Sequence, residues 1–154
     1  MPLRLEPITP DNVGAAIRLK VRPEQEDVVA PVVVSLAEAY ASRETAWPRL
    51  VLDGEDVVGF VMGNFDSSHE IPAFRCGIWR LNVAAGSQGR GVGSFAVRAV
   101  ALEAARRGHD RITVLWLRHP SGPEGFYLRQ GFRPTGELFG QVVGELAVAG
   151  FPVS

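Results

Sequence analysis

The chain has 154 residues, 46% of them hydrophobic and 21% charged, which suits a single domain (1–154) on the usual scale of roughly 100–200 residues and excludes low-complexity disorder. No stretch approaches the roughly 20 apolar residues of a membrane span, and Met1-Pro2-Leu3-Arg4-Leu5-Glu6 has no signal-peptide core, so a cytoplasmic protein without a membrane partner is expected. The net charge of −1 hides an asymmetry: residues 1–77 carry 7 basic and 12 acidic side chains (−5), while residues 78–154 carry 9 and 5 (+4). An acidic half suits a cationic ligand and a basic half an anionic one, unless the split is chance.

In chain order, Leu3 to Ile8 alternates like a half-buried strand. Thr9-Pro10-Asp11-Asn12 then carries helix-start signals, and Val13, Ala16, Ile17 and Leu19 follow at helical spacing. Arg22 to Asp27 is a polar turn. A second helix is expected from Ser35 to Ser42, with Ser35 as N-cap and Glu38 at N3 of a capping box. After Trp47-Pro48 the period changes: Arg49 to Leu52, a turn at Asp53-Gly54-Glu55-Asp56, and Val57 to Phe65 make a hairpin. Phe74 to Val83 reads as a longer strand with Ile78, Arg80 and Asn82 on one face and Trp79, Leu81 and Val83, the expected core set, on the other. Gly89 to Gly93 opens a helix that runs to about Arg107 and closes on Gly108. Ile112 to Leu117 is a strand apolar on both faces. A short helix, about Pro123 to Gln130, ends at Gly131, and strands over Thr135 to Gly140 and Val142 to Val148 complete an α/β (α+β mixed) domain.

The sharpest motif is Gln88-Gly89-Arg90-Gly91-Val92-Gly93-Ser94, placed between a strand and a long helix. Three glycines at alternate positions let the backbone turn without Cβ obstruction, and the helix start adds partial positive charge, so the segment suits a pyrophosphate. Arg90 adds a full charge. A Walker loop would need lysine after the last glycine, where Ser94 stands, and a dinucleotide fingerprint would need glycine at that same place. The single Cys76 cannot close an internal disulfide and reads as a small buried hydrophobe, while His69, His109 and His119 make no zinc pattern. Only Lys20 is a lysine, and no basic stripe argues for a nucleic-acid groove.

Arg80 to Gly93, the helix behind it, and Gly125-Phe126-Tyr127-Leu128-Arg129-Gln130-Gly131-Phe132 together resemble the two signature motifs of the GCN5-related N-acetyltransferases (GNAT). The resemblance covers nearly the whole chain in element order. Within that superfamily the acidic early loop, Trp79-Arg80-Leu81 and Phe132-x-x-Thr135-Gly136-Glu137 look like bacterial spermine/spermidine acetyltransferases. It implies a splayed mixed sheet of six to seven strands with about four helices, and acetyl-CoA in the gap beside Val83. The backbone of Leu81, Asn82 and Val83 would pair with the pantetheine arm. Gln88, Gly89, Arg90, Gly91, Val92, Gly93 and Ser94 would hold the pyrophosphate, with Arg129 as a further cofactor contact. Tyr127 matches the tyrosine beside the thioester sulfur, as acid toward the leaving thiolate or as packing alone.

This chain departs from the family pattern at Pro123, where asparagine and alanine are usual nearby, at Gln141, where glutamate is expected, and at Gly144, often methionine. The expected acceptor is a small-molecule primary amine, with Glu24, Glu26, Asp27 and Glu38 attracting a cation such as a polyamine unless they are merely a solvated turn and cap. Arg80 and Asn82 are expected to line the acceptor end. Competing readings are a non-catalytic acyl-CoA sensor or interaction module, or transfer to a protein N-terminus or aminoglycoside. A homodimer is left open.

Overall fold

Alternating apolar residues fold into strands where each face finds a cover, and this chain builds two such covers. The computed structural model describes residues 2–150. Its strands are β1 (Leu3–Pro7), β2 (Ala46–Asp53), β3 (Asp56–Phe65), β4 (Cys76–Val83), β5 (Arg111–Trp116), β6 (Arg133–Leu138) and β7 (Gln141–Ala147), and its α-helices are α1 (Val13–Arg18), α2 (Val32–Ala41), α3 (Val92–Arg106) and α4 (Glu124–Gln130). The strands form one seven-stranded sheet in the order β1-β2-β3-β4-β5-β7-β6. All neighbours are antiparallel except β4 and β5, which run parallel.

The two faces are buried by different helices. On one, Val92, Ala96, Val97, Val100, Ala101 and Ala104 of α3 pack on Val51, Val61, Ile78, Ile112 and Val114, with Trp116, Tyr127 and Phe132 in the same cluster. On the other, Ala16, Val32 and Ala39 of α1 and α2 cover Leu50, Phe60 and Met62. Each fully buried branched or aromatic side chain contributes about 1.5–3 kcal/mol, so the two clusters supply most of the drive to this arrangement.

Two expectations are corrected here. The second helix starts at Val32 with Pro31 as N-cap, not at Ser35. Ser35 is fully buried inside it with an unpartnered hydroxyl, and Glu38 caps nothing, so the capping box is absent. Three apolar residues in a row, Val32-Val33-Val34, concealed the helix start because only Val32 faces the core; Val33 and Val34 are exposed. The second correction concerns β4. Met62 pairs with Arg80 but Gly63 with Ile78, so Trp79 is a bulge. The bulge interrupts strict alternation. Ile78 joins the α3 face with Leu81 and Val83, while Trp79 packs against the cluster under α1 and α2.

Candidate active site

A parallel pair with few ladder bonds leaves backbone groups without partners, and β4 and β5 meet only at Gly77↔Thr113 and Ile78↔Val114. Beyond Ile78, β4 is held by β3 alone, through Val61↔Leu81, Phe60↔Asn82 and Gly59↔Val83. The opposite edge of Trp79 to Val83 thus has no strand beside it. An extended chain bearing amides can pair there. The close meeting at Gly77 is obligatory for glycine, because an added Cβ would lie 2.1 Å from Thr113 O.

At the open end of this gap stands the glycine segment. Gly89 and Gly91 have φ of +77° and +82°, and no atom lies within 4 Å of where a Cβ would stand on either. Gly91 is the N-cap of α3. The first helical bond runs from Phe95 N–H to Gly91 O, so the amides of Val92, Gly93 and Ser94 precede any intrahelical partner. Exposed left-handed glycines before a 15-residue helix fit the diphosphate of a nucleotide cofactor.

The side chains in this segment are mostly committed elsewhere. Gln88 Nε2 donates to Val83 O (3.0 Å) and to Gln25 Oε1 (3.1 Å), tying the loop to the turn after α1. Val92 is buried and offers only its amide. Ser94 Oγ accepts from Gln130 Nε2 at 2.9 Å, which sets the last turn of α4 beside the first turn of α3. Arg90 is exposed and reaches Asp53 at 3.4 Å. Arg129 is exposed and makes no ion pair among the described residues.

Tyr127 lies on α4 between three rings. It stacks on Trp116 (centroids 5.5 Å, 20°) and meets Phe126 and Phe132 edge-on. Its hydroxyl makes no hydrogen bond to a described residue. Burial pushes the phenol well above its usual pKa, which keeps it protonated through the neutral and mildly alkaline range. Trp116, which the sequence did not single out, holds the stack: its Nε1 donates to Glu124 Oε2 at 2.7 Å. It also accounts for Gly144, where an added Cβ would stand 2.5 Å from the Trp116 ring. Pro123 is the N-cap of α4, so Glu124 starts the helix and serves Trp116.

The predicted acceptor residues divide. Arg80 and Glu38 pair with each other at 2.9 Å across α2 and β4, so Glu38 is no free attractor of cations and Arg80 no free anion site. Asn82 is buried and donates to Ala30 O (2.9 Å); its side chain fastens β4 to the chain before α2 instead of lining a site, and its Oδ1 is left unpartnered. Glu24, Glu26 and Asp27 are exposed around the 3-10 turn Pro23–Gln25, next to the glycine segment through Gln25. They do not enter the cavity that opens where β4 and β5 part.

That cavity, about 540 Å³, has Gly77 to Arg80 of β4 and Thr113 and Leu115 of β5 as its floor. Asp66, His69, Phe74, Phe139 and Gln141 stand on its rim together with the polar side chains of Ser42, Thr45 and Asn64. Sequence reasoning missed all of these but Gln141. One signal was present: Phe139-Gly140 is a two-residue hairpin turn with φ of +51° and +75°, where Asn-Gly or Asp-Gly is the ordinary choice. The strand expected over Thr135 to Gly140 accordingly ends at Leu138. Cys76 is buried and desolvation raises its thiol pKa to about 12, so it is no nucleophile at neutral pH.

The sheet that parts between its two parallel strands, with a glycine cradle opening a helix at the gap, is the architecture of an acyl-CoA transferase. The chain matches the Acetyltransferase (GNAT) family over residues 16–132 and belongs to it. It is an acetyl-CoA-dependent acetyltransferase. Solved structures of the same fold include the PaiA N-acetyltransferase of Thermoplasma acidophilum in complex with coenzyme A, 11% identical, with TM-score 0.71 and 96% of this chain and 99% of that one covered. The GNAT domain of S. lividans PAT is 20% identical, with TM-score 0.73 and coverage of 94% and 90%. An aminoglycoside 6'-N-acetyltransferase complexed with coenzyme A is 14% identical, with TM-score 0.71 and coverage of 94% and 97%. No protein of curated function matches the chain. Among the described residues no helix is long and apolar enough to cross a membrane.

Proposed function

We propose that the whole chain acts as one domain that acetylates the primary amine of a small molecule. The observation that carries this reading is the parting of β4 and β5 beyond Ile78, which leads from the glycine cradle into a cavity of about 540 Å³. A cavity of that size is in the ordinary range for a small ligand. Acetyl-CoA supplies the acetyl group as a thioester, whose carbonyl carbon takes the amine nitrogen while the carbon–sulfur bond breaks. In balance, the amine loses one proton and the sulfur gains one.

The backbone of Leu81 to Val83 orients the donor along β4, and the amides of Val92 to Ser94 with Arg90 and Arg129 hold its phosphates. Tyr127 acts at the sulfur. Its phenol is raised above 10 by burial, whereas a thiol has a pKa of about 8.5, so outright proton transfer is uphill and the hydroxyl serves chiefly as a hydrogen-bond donor to the departing sulfur. An aliphatic amine has a pKa of about 10.4 and attacks only when neutral, so kcat/KM should climb between about pH 7 and 10.

A second reading, a polyamine acceptor drawn in by Glu24, Glu26 and Asp27, is supported by the exposure of all three and by their lack of ion pairs among the described residues. Thiol release from acetyl-CoA across polyamines, monoamines, aminoglycosides and N-terminal peptides tests the assignment. Turnover on small amines supports it; turnover confined to peptides, or donor binding with no turnover on any amine, would overturn it.

A further inference from the structure

The cavity is longer than the reaction needs. The amine that reacts must sit where β4 and β5 separate, just beyond Ile78, yet the cavity continues to Asp66, whose N–H donates to the carbonyl of Arg75, the residue before β4. Three strand residues, at about 3.3 Å each, put the two ends roughly 10 Å apart. The charges along this length are unequal. Arg80, at the reacting end, is neutralised by Glu38 at 2.9 Å. Asp66 takes only the Ser68 hydroxyl, at 3.2 Å, and has no ion pair among the described residues. His69 is held in place by the Ile71 N–H, which donates to its Nδ1 at 3.0 Å.

Between the ends two aromatic rings stand among polar side chains such as Thr45, Asn64 and Thr113. Phe74, from the loop before β4, and Phe139, from the turn between β6 and β7, stack in parallel across the cavity with centroids 6.2 Å apart and planes at 3°. Phe139 holds φ of +51° and is 74% exposed. A bulky residue in that conformation, with its ring largely in solvent, costs stability and contributes almost nothing to the core.

We propose that this cavity selects an acceptor with two basic nitrogens roughly 10 Å apart, one reacting as the neutral amine where β4 and β5 part and the other paired as a cation with Asp66, its alkyl chain lying along Phe74 and Phe139. This rests on the amine-acetyltransferase reading above. It assigns the selection to Asp66 inside the cavity, not to the exposed acids near the cradle.

The test compares diaminobutane, diaminoheptane and diaminodecane with heptylamine at saturating acetyl-CoA, and measures diaminoheptane binding calorimetrically without donor. Diaminoheptane should exceed heptylamine in kcat/KM by about tenfold, through KM, because a charge-assisted bond is gained. Asp66→Asn should abolish that ratio by raising KM for diaminoheptane. Asp66→Glu should restore the preference and shift the best chain length shorter. Phe139→Asn suits the turn and should raise Tm while increasing KM for all these amines, an opposition that a purely structural role would not produce.

A parental protein with no preference for the diamine, or Asp66→Asn with the parental ratio, overturns the proposal while acetyl transfer to amines stands. Unaltered KM in Phe139→Asn overturns the aromatic wall. If no amine is acetylated but diaminoheptane binds in an Asp66-dependent way, the site holds and the amine-acetyltransferase reading fails; if no amine is acetylated and diaminoheptane does not bind, both fall.

Discussion

The cradle and the cavity sit at opposite ends of one gap and are built in opposite ways. The cradle is seven consecutive residues, Gln88 to Ser94, whose shape follows from two left-handed glycines and a helix start. The cavity draws its lining from Ser42 at the end of α2 through to Gln141 at the start of β7. In the function proposed here the first holds the donor and the second meets the acceptor. Common chemistry is carried by a local motif, and specificity by distant segments that the sheet brings together.

The sharpest way to break the comparison is at Gly77, where the two ends are hinged. Gly77→Ala would place a Cβ 2.1 Å from the Thr113 carbonyl oxygen, a backbone atom that cannot rotate away. A loss of about 3 kcal/mol is expected, or a fall of roughly 10 °C in Tm. A fall below about 2 °C in a thermal melt would mean that β4 and β5 separate freely.

Next in size is Gly91→Val. No atom lies within 4 Å of the added Cβ, so the cost is chiefly backbone strain of about 1–2 kcal/mol at φ of +82° together with occlusion of the cradle. Acetyl-CoA affinity by calorimetry should fall at least about tenfold. Gly86→Ala, equally open but outside the cradle, should leave it unchanged. Equal effects of the two would remove the cradle's special status.

Tyr127→Phe should lower kcat by about 10–100-fold, the loss of one hydrogen bond to a developing charge, with donor affinity within about twofold of the parent. The sign of the pKa shift adds a check. Burial raises the phenol, so the protonated form persists above the ordinary value of about 10, and Tyr127 should cause no fall in parental kcat up to that pH. An alkaline decline near pH 9 that vanishes in Tyr127→Phe would contradict this environment.

The smallest effect concerns the acidic turn. Glu24→Gln, Glu26→Gln and Asp27→Asn combined should change kcat/KM for spermidine by only about two- to threefold and flatten its decline with salt, since exposed charges steer weakly and are screened over about 8–10 Å. At saturating donor, a parental salt slope would rule out steering by this turn.

Much of this protein is legible along the chain. Gly108 and Gly131, with φ of +87° and +104°, end α3 and α4 where a C-terminal glycine was expected, and the β2–β3 hairpin turns at Gly54. These are short-range decisions, made by backbone sterics within a few residues. The paired motifs around Gly91 and Tyr127 likewise pointed to the family, because each is contiguous. What failed was whatever depended on a neighbour distant in sequence. Glu38 looked like a cap until Arg80, 42 residues away, took its carboxylate. Trp79 looked like core beside Leu81 until the bulge against β3 moved it to the other face.

The sequence by itself therefore determined the order of the elements and the left-handed glycines that open α3, since those rest on local periodicity and on glycine's access to positive φ, while the donor followed from the resemblance of its two motifs to the family. Only the tertiary structure decided that β4 and β5 part beyond Ile78, that Trp116 fills the space left by Gly144, and that Asp66, Phe74 and Phe139 enclose one cavity. The reason is physical: strand pairing and close packing join residues whose separation along the chain carries no trace of their contact.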